Sequence, residues 1–369
     1  MKKFTYIPIA LFLTAGTVTP QSSGESTDSR RIEFPDIPGY RTLACDFHMH
    51  TVLSDGSVWP DIRVQEAIRD GLDAISLTEH IEYQPRQKDI PHPDRNRSYE
   101  LAKNYARNSE LLVINGTEIT RAMPPGHFNA IFVEDVNKLN QEDVMEVFRE
   151  AKRQGAFVFW NHPHWTAQQP NGIASLKQMH LQLLEEDLFQ GVEIYNHQTY
   201  SDEAVTIALD RALTMMGTSD IHGLIDWDYD VANGGHRPVT LVFATDRTEQ
   251  ALKEALFHGR TAVWFDHTLV GGEEVLVPLI ENSLEVSRSE PSLVQEVILT
   301  NHSGADYILE NTSPFTLHRN ASVVILKGYE STTLQVKTAE ELESFEMTFN
   351  VLNAFTSPET HPGITLRIK

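Results

Sequence analysis

Short apolar runs alternate with stretches of helical spacing through residue 270, and the polar residues that could do chemistry gather where the apolar runs stop. Pro60 suits the first turn of a helix and Gly71 the position just past its end, with a strand over 73–77 following at once. The same reading predicts helices over 99–110, 140–154, 175–188, 201–214 and 248–258. It predicts strands from Leu111, over 127–133 after the turn Pro124-Pro125-Gly126, and over 156–160, 192–195 and 238–244. About seven β/α repeats in this span point to a barrel, although an open doubly wound sheet shares the pattern.

Beyond Gly272 the texture changes to a series of short apolar runs. Strands are expected over 275–280, 284–286, 294–300, 307–309, 322–326, 332–336, 345–349 and 364–368, separated by Gly, Pro, Asn and Ser, as in a small all-β sandwich. The expected organisation is a leader over 1–20, a linker over 21–40, a barrel over 41–272 and a β-rich accessory domain over 273–369. Met1-Lys2-Lys3 followed by a short apolar run to Ala15 reads as a secretory signal, too short for a permanent membrane span. Export to a bacterial periplasm or the extracellular space is therefore expected. Cys45 is the single cysteine, so no internal disulfide can form and stability must come from the cores.

Composition narrows the partners. Acidic residues number 52 against 30 basic ones, a formal net charge of −22. No Lys/Arg run is dense enough to track a phosphate backbone, which disfavours long nucleic acids and leaves a small anion as the expected substrate. The oligomeric state is not specified by the sequence.

The ends of the apolar runs carry the candidate site. The run at Leu43 ends in His48-Met49-His50, with Asp55 beyond it; the next ends in Glu79-His80 and the third in Glu118. His127 opens a strand, His162 and His164 follow Trp160, and Asp220 and His222 follow the run at Thr214. Two imidazoles two residues apart on an extended chain share a face and can meet one metal ion. Imidazole with carboxylate and no thiolate suits Zn, Mn or Fe. Such clusters at the C-terminal ends of barrel strands read as a multinuclear metal site.

Taken together, His48-x-His50-Thr51…Asp55-Gly56, Thr78-Glu79-His80, Gly116-x-Glu118, Gly126-His127-x-Asn129, Asn161-His162-Pro163-His164 and Ser219-Asp220-x-His222 resemble the PHP (polymerase and histidinol phosphatase) superfamily. The resemblance runs from about residue 41 to 265 in matching order, and the leader and β-rich tail look like a secreted phosphodiesterase branch. It implies an α/β fold, a distorted seven-stranded (β/α)7 barrel followed by the sandwich-like domain, with two or three divalent ions (Mn, Zn or Fe). Carried over by motif, His48, His50, Glu118 and Asp220 would hold the first ion. Glu118 would bridge to a second, completed by His127 and His162, and Asp55, His80 and His222 would hold a third. Where the family often has aspartate before the second-motif histidine, this chain has Glu79, whose role is left open.

The resulting expectation is a secreted hydrolase of phosphate esters, diesters first, acting through a metal-activated hydroxide with His48, His50, Glu118, Asp220 and His222 at its catalytic centre. A monoesterase of the same family, an amidohydrolase-type enzyme and a non-catalytic metal-binding protein are the alternatives. Asn129, His164, His197, His236 and Arg237 are expected substrate contacts, and His222, His164 and His236 stand as alternatives for assisting the leaving group.

Overall fold

A computed structural model describes residues 31–369. The expected leader and residues 21–30 of the expected linker lie outside the described residues. The first domain begins β1 (Arg41–Asp46), α1 (Pro60–Asp70), β2 (Ala74–Leu77), α2 (Arg97–Ala106), β3 (Leu112–Thr120) and β4 (His127–Ile131). It continues with α3 (Val144–Arg153), β5 (Phe157–Trp160), α4 (Gln178–Glu185), β6 (Gly191–Asn196), β7 (Thr199–Tyr200) and α5 (Asp202–Arg211). Then come β8 (Thr214–Thr218), α6 (Ile225–Asp228), β9 (Val239–Ala244), α7 (Glu249–Phe257), β10 (Thr261–Phe265) and β11 (Thr268–Gly271).

Local chemistry sets these boundaries. Pro60 opens α1 and Gly71, at φ 79, closes it in the left-handed region. The helix expected from residue 140 starts at Val144, because the Asp143 carboxylate caps it by accepting the Glu146 N–H at 3.1 Å. Ser201 and Thr248 cap α5 and α7 in the same way.

The strands form a curled mixed sheet, a half-barrel. Its order is β7-β6-β5-β4-β3-β2-β1-β9-β10-β11, with β8 pairing β6. Parallel pairs β1–β2, β2–β3, β5–β6 and β6–β8 alternate with antiparallel β3–β4, β4–β5, β1–β9 and β9–β10. Among the described residues no backbone ladder joins β8 to β9 or β10; side chains bridge that seam instead. The Thr240 hydroxyl bonds both the N–H and the carbonyl of Gly217 at 2.9 Å, and the Thr261 hydroxyl donates to the Met215 carbonyl at 2.9 Å. Glycine is needed at 217 for this close approach, since a Cβ there would collide with Val263.

Past Gly272 the expected strand over 275–280 is a helix, α8 (Glu273–Ser283). Its buried residues Val275, Leu276, Leu279 and Ile280 fall in adjacent pairs four apart, which is the helical stripe and not alternation. The remaining strands are β12 (Leu284–Arg288), β13 (Val294–Asn301), β14 (Tyr307–Asn311), β15 (Thr316–Leu317), β16 (Val323–Leu326), β17 (Ser331–Lys337), β18 (Phe345–Val351), β19 (Ala354–Phe355) and β20 (Gly363–Ile368). They make two antiparallel four-stranded sheets, β12-β13-β17-β15 and β16-β14-β18-β20, as the series of short strands predicts. β19 leaves this domain to pair with β11 of the half-barrel. One apolar cluster runs without a break from Val64 and Ile75 through Leu276 and Ile280 to Leu309 and Phe349.

Beneath the strand ends lies an ionic anchor. The Arg237 guanidinium is buried and meets Asp46 at 3.2 Å and Asp70 at 2.5 Å. Asp46 in turn accepts from the Ser219 hydroxyl at 2.6 Å and the Ser219 N–H at 3.1 Å. This corrects the expectation that Arg237 contacts substrate: its donors are committed to two buried carboxylates. Arg237→Ala would leave those carboxylates without their cation and should cost about 3–5 kcal/mol of stability. Chemical denaturation checks this; a loss below about 1 kcal/mol would refute the anchor.

Candidate metal centre

Nine donor side chains converge above that anchor in three groups, the ligand atoms within each lying within 4.8 Å of one another. The first contains His48, His50 and Asp220; the second Glu118, His127 and His162; the third His50, Asp55, His80 and His222. Every residue expected as a ligand is therefore brought together, with His50 shared between two groups and Glu118 beside all of them. Glu118 Oε2 lies 3.5 Å from His48 Nε2, 3.4 Å from His50 Nε2 and 2.8 Å from His80 Nδ1.

Local backbone geometry aims these groups. The alternation of an extended chain turns His48 and His50 to one side, where both Nε2 atoms stand 3.2 Å from Asp220 Oδ1. His162 and Asp220 adopt left-handed backbone at φ 28 and φ 49, uncommon for residues with side chains and typical of sites where surrounding structure enforces a direction. Gly56 lets the turn carrying Asp55 press against the HxH segment: a Cβ there would come within 2.6 Å of the His50 carbonyl oxygen.

The donor chemistry fits cations. His48 Nε2, His50 Nε2, Asp55 Oδ1 and both Glu118 carboxylate oxygens are buried without a hydrogen-bond partner. His127 Nδ1 is 2.6 Å from Glu118 Oε1 yet is also unpaired, so proximity without alignment marks lone pairs directed at a shared point. Uncompensated buried lone pairs on this scale are costly unless a cation meets them.

In the metal-free state the charges hold one another. Burial opposes ionisation of Glu118, but His80 and His127 keep its carboxyl well below the usual range. Asp220 behaves likewise through His48 and His50. Against burial, Glu118 and Asp55 push His80 up to about 11, while Asp220 and Glu193 raise His48 and Asp55 raises His222. Burial, then His80, lowers His50 to about 3.

A second layer orients the ligands. Glu193 accepts from His48 Nδ1 at 2.7 Å, the Thr218 hydroxyl at 2.6 Å, the His162 N–H at 2.6 Å and Asn196 Nδ2 at 2.9 Å. Holding the proton on His48 Nδ1 leaves Nε2 free to face the site. Glu193 was not singled out from sequence; the available signal was a lone carboxylate inside the apolar run of β6. Glu79 now has a role: its carboxylate accepts from the hydroxyls of Thr51 and Ser54 at 2.5 Å each, and from the Thr51 N–H at 3.1 Å, clamping the turn that carries Asp55.

The expected substrate contacts fare less evenly. His197, at φ 54, lines the cavity over the three groups. Asn129 is fully buried and bonded to Asn161 and the Phe47 carbonyl, tying the strand of His127 to β1. His164 is not on the cavity wall: the left-handed turn at His162 breaks the alternation, and its Nε2 instead bonds Thr199 at 2.9 Å. His236 faces a different cavity between the two domains, stacked on Trp264 with ring centroids 3.6 Å apart. Trp165, which follows the His162-Pro163-His164 motif as a candidate pocket wall, lines the metal cavity; Tyr83, Thr120, Asn196 and Thr199 line it too and were not assigned to it from the strand-end pattern.

Two outcomes follow from this geometry. Neighbouring carboxylates raise His48, His80 and His222 and so favour their protonated forms, whereas ligation needs neutral imidazole, so metal uptake should release protons and its affinity should rise with pH. Titration calorimetry in two buffers of different ionisation enthalpy measures that release, and identical heats would refute it. Glu193→Gln should weaken metal affinity by about 10–100-fold with the fold intact, read by competition with a chromogenic chelator; unchanged affinity would remove Glu193 as a positioning residue.

Comparison with known proteins agrees with this architecture. The family model of the DUF5001 Ig-like domain matches residues 283–367. No curated protein matches. The crystal structure of a two-domain protein from Bacteroides vulgatus ATCC 8482, containing a predicted PHP-like metal-dependent phosphoesterase, is 43% identical, with a TM-score of 0.85 over 91% of this chain and 98% of that one. A candidate metal-dependent phosphoesterase from Bifidobacterium adolescentis ATCC 15703 is 17% identical, with a TM-score of 0.39 over 49% of this chain and 88% of that one. PsfC from Pseudomonas syringae PB-5123 is 16% identical, with a TM-score of 0.42 over 61% and 92%. Identity and coverage in the Bacteroides comparison, together with the three donor groups, settle the family: the chain belongs to the two-domain PHP-like metal-dependent phosphoesterases.

Proposed function

We propose that this protein hydrolyses phosphate diesters. The observation that carries the reading is the composition of the cavity over the donor groups, about 600 Å³ in volume, which suits a small ligand. Its described lining is imidazole, carboxylate, amide, hydroxyl and aromatic, with no Lys or Arg among the described residues. Phosphate charge would thus fall on the bound cations alone, without the guanidinium fork that suits a phosphate dianion. A diester brings one negative charge and two organic groups, which matches a pocket walled outside the donors by the rings of Tyr83 and Trp165, the neutral side chains of Thr120, Asn196 and Thr199, and His197.

Divalent ions held by the three groups would supply Lewis acidity and lower the pKa of water near them. The chain's own part is positional. Glu193 fixes the His48 tautomer, Glu79 fixes the turn of Asp55, and Asn196 donates to Asp220 Oδ2 at 3.3 Å. His222 donates from Nδ1 to the Asp220 carbonyl at 2.8 Å, which turns Nε2 toward Asp55 at 3.2 Å. His197 stands at the cavity wall, 4.0 Å from Asp228, where it could exchange a proton with a departing alcohol.

The amino-terminal pattern of basic start, apolar run and small residues supports action outside the cytoplasm. The net charge of −22 supports a small ester over a long polyanion. Among the described residues no helix is long and apolar enough to cross a membrane.

The test pairs bis(4-nitrophenyl) phosphate with 4-nitrophenyl phosphate on protein loaded with Mn²⁺ or Zn²⁺. Diester cleavage should be the faster and should vanish on chelation and in Asp220→Ala and Glu118→Ala, each losing at least about 100-fold. Faster monoester cleavage would make the protein a phosphatase. Near-normal rates in both variants would remove the donor groups from the chemistry.

A further inference from the structure

Two large aromatic side chains remain half exposed where the metal cavity opens. Tyr83 is 52% exposed and Trp165 45%, and both line the cavity. Neither is packed into any of the three hydrophobic clusters. Leaving that much apolar surface in water is unfavourable, and a core-packing role does not account for it.

Their positions are specific. The Tyr83 ring stands 5.8 Å from His80 at 71°, and the Trp165 ring stands 5.1 Å from His162 at 71° and 5.7 Å from His127 at 57°. His80 belongs to the group with Asp55 and His222, whereas His127 and His162 belong to the group with Glu118. The two rings therefore adjoin different donor groups. An ester whose phosphate oxygens sit on those groups would extend its organic parts past the rings.

We infer that Tyr83 and Trp165 are specificity-determining platforms that select esters carrying a planar aromatic substituent. The inference rests on the reading that a phosphate ester binds at the donor groups. Aromatic rings offer stacking surface with little conformational freedom to lose, and a stacked ring is worth roughly tenfold in affinity.

Phenyl 4-nitrophenyl phosphate and cyclohexyl 4-nitrophenyl phosphate release the same chromophore and differ in whether the second group is flat. On metal-loaded full-length protein, Trp165→Ala should lower kcat/KM about tenfold on the phenyl ester, mainly through KM, with a smaller loss for Tyr83→Ala. The cyclohexyl ester keeps one flat group, its 4-nitrophenyl ring, so in one of the two variants it should change by less than about twofold, and equal losses on the two esters in both variants would overturn the inference. Binding separates this from the diesterase reading: metal-loaded protein is titrated with phenylphosphonate and cyclohexylphosphonate, neither of which has an ester bond to cleave. Tighter binding of the phenyl compound, lost in Trp165→Ala, sustains the platforms even where no diester turns over. Equal affinities overturn them even where diesters are cleaved.

Discussion

The rest of the structure answers to one electrostatic constraint. Three carboxylates and six imidazoles are drawn into one buried region, with lone pairs that find no proton donor. Such an assembly is tolerable only when positive charge sits among the lone pairs: the carboxylates raise His48, His80 and His222 toward their protonated forms, and metal ions would displace those protons. The two states exclude each other at each imidazole. That exclusion couples metal loading to pH and makes the outer layer of Glu193, Glu79 and Asn196 matter, because each of these decides where a donor points before any ion arrives.

Geometry of this kind needs a frame that does not yield, and the half-barrel supplies one from several directions. Asp46, held by Arg237 below and by Ser219 alongside, ties the end of β1 to the loop after β8. That tie fixes His48 and His50 against Asp220. Asn161 Nδ2 donates to Asn129 Oδ1, its own Oδ1 accepts from the Asn129 N–H, and Asn129 Nδ2 reaches the Phe47 carbonyl, fixing His127 and His162 against the end of β1. The parts of the chain that look like interior polar residues are therefore braces between strands whose ends carry ligands. Their removal would be felt as loss of stability and loss of metal together, unlike changes at the exposed cavity wall.

Much of this was legible in the sequence because the informative signals were local. The period-two spacing of His48 and His50 put both on one face, and apolar runs ending in His, Asp and Glu marked the strand ends. The failures have physical causes. Residues 275–280 read as strand because a buried helix of short apolar pairs resembles a strand when its period is not weighed. His164 was placed with His162 because both follow the same apolar run, but the left-handed backbone at His162 turns the two side chains apart. Arg237 beside a strand looks the same in sequence whether it faces a ligand or two buried aspartates, and only the fold brings Asp46 and Asp70 to it. Glu193 was hidden because a carboxylate within an apolar run reveals its need for partners but not their identity.

The second domain is joined too closely to act as a detachable accessory. α8 buries its apolar face in the same cluster as the half-barrel, and β19 extends the half-barrel sheet along β11. β11 is the hairpin partner of β10, which ends at Trp264 and Phe265. Those two residues line the interdomain cavity together with Tyr229, whose hydroxyl donates to the His197 carbonyl at 3.4 Å on the metal-cavity wall. A continuous chain of contacts thus leads from the Ig-like sheets through β11 and β10 to one wall of the metal centre. The β domain packs against the elements that lead to that wall, and its removal would expose the apolar face of β11 before it altered any ligand directly.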